Sequence, residues 1–99
     1  MSLYLLSYDI AEGHSYDSLW KFLEMHGARR ILYSQWAVPW DTNQTAFDLA
    51  TAGIKHIRND DRLLVSELFD NAATLAWKNL KISNDDFRAL LKEYARTLP

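Results

Sequence analysis

Asp9 is the first side chain in this sequence whose type and position suggest chemistry. It ends the run Leu3-Tyr4-Leu5-Leu6-Ser7-Tyr8-Asp9-Ile10, which reads as a buried strand, just before the turn Ala11-Glu12-Gly13. Asp is depleted from strand interiors, and a carboxylate withdrawn from water needs a pairing group or a bound cation. Two roles fit the position: a cap on the strand end, since Asp is a common turn former, or a cation ligand. The Tyr8-Asp9 pair is therefore the candidate site at this edge.

Other reactive types are less well arranged. His14, His26 and His56 lack an i, i+4 partner of metal-ligand type, and with no cysteine a zinc centre would need an unusual ligand set. His26 beside Gly27 suits a helix C-terminus, where a cation is favoured. No Gly-rich phosphate loop, nucleophile elbow or Ser/His/Asp signature is present, and Ser15, Ser34 and Ser66 read as cap, bend and strand residues. Arg88, Lys92 and Arg96 recur at i, i+4, i+8 and form one stripe on a helix. Such a stripe is either a solvated face whose cations complement the helix dipole or a contact for phosphate. Arg29 and Arg30 make a second, smaller basic point.

The chain of 99 residues is long enough for one core and one domain, residues 1–99. Hydrophobic residues make up 48% and aromatics 13%, generous enough that part of the apolar area is expected to face a second subunit. The absence of cysteine rules out a disulfide framework and suits a reducing cytoplasm. No leader and no bilayer-length apolar run is visible, so the expectation is a cytoplasmic protein without a membrane partner. A net charge of −2 excludes broad electrostatic capture of nucleic acid, though not a local basic patch.

The elements that would position Asp9 follow from periodicity and turn chemistry. Ser15 caps a predicted helix reaching about His26, with Leu19, Trp20, Phe22 and Leu23 apolar and Gly27 at the left-handed C-terminal position. Arg30 to Trp40 is rich in β-formers and is split by a bend at Ser34-Gln35, and Pro39 fits an edge position. Thr42 or Thr45 opens a second helix through Ile57, with Gly53 weakening its middle. After the turn Asn59-Asp60-Asp61, residues 62–69 form a second apolar strand, and Thr74 to Lys78 is read as a short edge strand. Ser83, with Asp86 three residues on, opens a C-terminal helix, a helical extension from about residue 83. The economical architecture is one α+β domain with helices packed on an antiparallel sheet.

The order of these motifs, Leu5-Leu6-Ser7-Tyr8-Asp9-Ile10, a helix ending in Gly27, Arg30-Ile31-Leu32-Tyr33-Ser34-Gln35-Trp36 and Asp61-Arg62-Leu63-Leu64-Val65, resembles the small CRISPR-associated protein of the second Cas family. Its relatives, the virulence-associated D and SinR-like proteins, share that resemblance, which covers roughly residues 3 to 70. It implies a ferredoxin-like βαββαβ fold, helices on one face of an antiparallel sheet, and a homodimer whose first-strand aspartates approach across the two-fold axis. It further implies a metal-dependent endonuclease cleaving RNA or DNA, with Asp9 of two subunits holding Mg²⁺ and Tyr8 beside it in the catalytic site. Arg30, Ser34 and Trp36 match flanking positions and would contact nucleic acid through phosphate contact, hydrogen bonding and stacking respectively. The same family includes structural, non-catalytic roles, so a dimeric adaptor or nucleic-acid-associated scaffold is the alternative. The basic cluster typical after the Tyr-Asp-Ile motif is absent here: residues 11–17 carry Glu12 and Asp17 and no Lys or Arg, which favours the SinR-like branch. A dimer of so small a domain would cover open strand edges by exchanging the C-terminal helix between subunits.

Overall fold

The structure, a computed structural model, describes residues 1–98. The element order is β1 (Ser2–Asp9), α1 (Asp17–Met25), β2 (Arg29–Leu32), β3 (Gln35–Trp40), α2 (Ala46–Ile54), β4 (Arg62–Leu68) and α3 (Asn84–Tyr94). The four strands form one sheet in the order β2-β3-β1-β4 with every pairing antiparallel. This is the ferredoxin-like βαββαβ arrangement followed by a C-terminal helix.

Alternation along β1 feeds two separate cores. Tyr4, Leu6 and Tyr8 point to the face covered by α1 and α2, where they meet Leu19, Leu23, Leu49, Trp36 and Val38. Leu3 and Leu5 point the other way and pack with Ile31, Ala37, Phe87 and Leu91. The two βαβ helices therefore share one face, and α3 crosses the opposite one, where Phe87 is almost fully buried. In the single chain α3 closes on its own sheet.

Local chemistry accounts for the boundaries. The Thr45 hydroxyl accepts the Asp48 N–H while the Asp48 carboxylate accepts that of Thr45, a reciprocal capping box that starts α2 at Ala46 rather than at Thr42. Ser83 Oγ accepts the Asp86 N–H and starts α3. Gly27 ends α1 at φ 73°, a left-handed conformation that costs a side-chain-bearing residue. β2 and β3 form a hairpin through Tyr33-Ser34, with a register shift between Arg30 and Leu32. Pro39 belongs to a strand with neighbours on both sides, but β2 pairs no further along β3 than Ala37, so Pro39 stands beyond the end of that ladder. The segment read as an edge strand at Thr74–Lys78 is a loop. Asn71 Oδ1 accepts the Ala73 N–H, and the Asn71 carbonyl accepts those of Thr74 and Leu75, so an Asn-led turn takes the hydrogen bonds a ladder would need.

No helix among the described residues is long and apolar enough to cross a membrane.

Candidate functional site at the Asp9 end of the sheet

Because β1 runs antiparallel to both neighbours, its last residues lie beside the first residues of β3 and β4. The Tyr8 N–H donates to the Ser34 carbonyl at 3.1 Å, and Asp9 stands opposite Arg62. The structure thus brings Asp9, Ser34 and Arg62 to one sheet end, as the topology predicts. Asp9 Oδ2 lies 3.6 Å from Arg62 Nη1, with the two side chains 75% and 82% exposed. An ion pair this open is weakly held. Ser7, Tyr8, Asp9, Arg62, Leu63 and Leu64 line a shallow concavity of about 220 Å³. The Ser7 hydroxyl is buried without a hydrogen-bond partner among the described residues, and Leu64 is 63% exposed.

The other residues singled out from the sequence point elsewhere. Tyr8 alternates to the helix-covered face, where its hydroxyl oxygen accepts from Trp20 Nε1 at 2.8 Å and Trp36 Nε1 at 3.4 Å. Tyr16, Trp20 and Trp36 extend this into a chain of tilted rings with centroid separations of 5.5 to 6.1 Å. Trp36 is buried, so its ring has no face to offer a base. Arg30 is also committed: its Nε and Nη2 donate to the Tyr33 carbonyl at 3.0 and 2.6 Å, and its guanidinium lies 4.7 Å from the Trp20 centroid and 5.0 Å from that of Tyr33. Ser34 meets β1 through its carbonyl, as given above. Asp9 is thus separated from Tyr8, Arg30 and Trp36 by the thickness of the sheet.

A second group at the same end escapes a sequence search. His14, Asp60 and Asp61 each present a ligand-type atom, all within 4.8 Å of one another. Asp61, its side chain only 2% exposed, is the centre. Its Oδ1 accepts the Ala11 N–H at 2.8 Å and lies 2.8 Å from His14 Nδ1, and its Oδ2 accepts the Arg58 N–H at 2.8 Å. Facing a carboxylate, Nδ1 is the ring nitrogen that carries the proton. Burial pushes the Asp61 carboxyl up, but the Arg58 and Ala11 N–H groups and His14 outweigh it and hold the pKa below the ordinary value. The result is a staple joining the β1–α1 loop to the loop before β4. These residues are 47 apart in the chain, so only the antiparallel β1–β4 pairing could have foretold their meeting. Chemically, the group is one that could hold a metal ion, at the expense of Asp61's existing hydrogen bonds.

Compared with known proteins, the sequence matches no family model, no curated protein and no solved structure.

Proposed function

We propose that the chain works as a homodimer that cleaves phosphodiester bonds of RNA or DNA, with Asp9 of the two subunits sharing Mg²⁺. The observation that supports this is the state of the Asp9 carboxylate. It accepts no hydrogen bond from the turn that follows, because Asp61 already takes the Ala11 N–H that a strand-end cap would have used. Asp9 is left as an exposed acid whose only partner among the described residues is Arg62. Mg²⁺ is satisfied by one or two carboxylates, with waters and substrate phosphate completing its octahedron. One chain supplies a single such carboxylate, and a second copy meeting the open end of the sheet face would supply the other. When bound, the ion would polarise the phosphoryl group and lower the pKa of a water. Within each chain, Arg62 is the cation nearest to Asp9 and would meet either the partner's acid or substrate phosphate.

The non-catalytic adaptor reading draws on a different observation: Tyr8, Trp36 and Arg30 are held by contacts within the chain and are not free for substrate. On that reading Asp9 and Arg62 serve as a polar seam between subunits. Cleavage of single-stranded RNA and double-stranded DNA with Mg²⁺, with Mn²⁺ and with EDTA, for wild type and Asp9→Asn, separates the two. Metal-dependent cutting lost in the variant is the expected result. No cutting, or equal cutting, from a dimer that survives the substitution would leave the adaptor.

A further inference from the structure

The stripe Arg88, Lys92 and Arg96 is not presented as one surface. Arg96 lies past the end of α3 and turns to Glu67, donating from Nε at 2.6 Å and from Nη2 at 2.5 Å, and this bidentate pair fastens the segment after α3 to β4. Arg88 and Lys92 have no acidic partner among the described residues, and neither does Lys78 in the loop alongside. These free cations surround Trp77, a half-buried ring held edge-on against Phe87 at 4.8 Å, with its Nε1–H donated to Asn84 Oδ1 at 3.1 Å. Two adjoining hollows share Trp77 and Arg88. One, of about 390 Å³, is lined by Trp77, Lys78, Asn79, Asn84 and Arg88 and has no carboxylate in its wall. The other, of about 480 Å³, continues past Lys92 and includes Asp70 and Asp85.

We propose that this groove, on the side of the molecule that α3 covers, binds a single-stranded nucleic-acid segment. Phosphate would sit between Lys78 and Arg88, a base would lie against the Trp77 ring, and the amides of Asn79 and Asn84 would address base or sugar edges. The chemistry needs each part. Two unpaired cations from different elements, at one wall of a concave site, fit a polyanion that the chain's overall charge of −2 would otherwise repel. An aromatic ring fixed by a neighbour and by its own hydrogen bond is a stacking platform prepared in advance, which limits the entropy lost on binding. Asp70 and Asp85 lie in the farther hollow and set the direction in which the strand leaves. The site involves neither Asp9 nor a bound metal, so it goes beyond the activity proposed above and stands or falls apart from it.

The test is fluorescence anisotropy of a labelled short single-stranded RNA in EDTA, across a salt series, with wild type, Lys78→Ala/Arg88→Ala and Trp77→Phe. The double variant is expected to weaken binding roughly ten-fold or more. It should also reduce the salt slope by about 0.7 for each phosphate contact removed. Trp77→Phe keeps the contact to Phe87 and should weaken binding several-fold while leaving the melting temperature close to wild type. Equal affinity in wild type and the double variant would overturn the proposal, as would equal competition by inorganic polyphosphate, which carries charge but no base.

Discussion

Asp61 accepts hydrogen bonds from two loops and from His14, whereas Asp9, at the same end of the sheet, accepts none from the described residues. The difference decides which acid is structural. Asp61 ionises more readily in the folded chain than in the unfolded one, since its folded pKa is lowered. The stability this adds is present above the unfolded pKa and is lost as pH falls through the lower folded value. Melting temperature should therefore drop more steeply on acidification in wild type than in Asp61→Asn, the two curves drawing together at low pH. Parallel curves across that range would contradict the assignment. At this scale the sequence was partly legible. Asp9 stands out because a carboxylate at the end of an apolar run is conspicuous, and the structure leaves it open. Asp61 was read only as a turn former, because its donors Ala11 and His14 are brought to it by strand pairing rather than by spacing. Tyr8 and Trp36 could not be sorted from Asp9 by motif order, since neighbouring strand residues face opposite sides of a sheet.

Among the elements, α2 carries the clearest lever. Gly53 is buried where α2 rests on the sheet, and a Cβ there would stand 3.5 Å from Leu63 Cδ1 and 3.7 Å from Leu6 Cδ1, ordinary contact distances. No positive φ requires glycine at this position. Gly53→Ala should therefore stabilise the fold by about 0.5–1 kcal/mol, through helix propensity and a small gain in packing, as read from urea unfolding. A loss of stability would mean that α2 lies tighter on β4 than these distances allow. Elements were legible where they carry their own local signal: Thr45 and Ser83 as the caps of α2 and α3, Gly27 as the stop of α1, Ser34 at the β2–β3 bend. The loop after Phe69 was not, because the Asn71 turn competes with a β-compatible run whose outcome depends on what covers it. That loop supplies Trp77, the residue on which the groove beside α3 is built, and the expectation of a strand there concealed it.

Across the whole molecule, the sheet separates two cores. α1 and α2 seal one face over the Tyr8–Trp20–Trp36 aromatic cluster, and α3, through Phe87 and Leu91, seals the part of the other face that holds Leu3, Ile31 and Ala37. What stays open on that second face is the end carrying Ser7, Asp9, Arg62 and Leu64. In the proposed dimer a second copy would meet its partner there, burying the exposed Leu64 and setting each Asp9 against the partner's Asp9 or Arg62. Sequence periodicity could not show that α3 takes the far face, because its apolar stripe would suit either side of the sheet equally well. The helix nevertheless limits which part of the molecule is free for assembly. The central claim, a metal shared by Asp9 of two subunits, is tested most directly by Mn²⁺ titration followed by electron paramagnetic resonance, with the mass in solution measured in parallel for wild type and Asp9→Asn. The account predicts one tightly bound ion per two chains in a wild-type dimer and none in Asp9→Asn. An ion bound equally by both proteins, or a wild type that stays monomeric while binding it, would contradict the account and point instead to His14, Asp60 and Asp61.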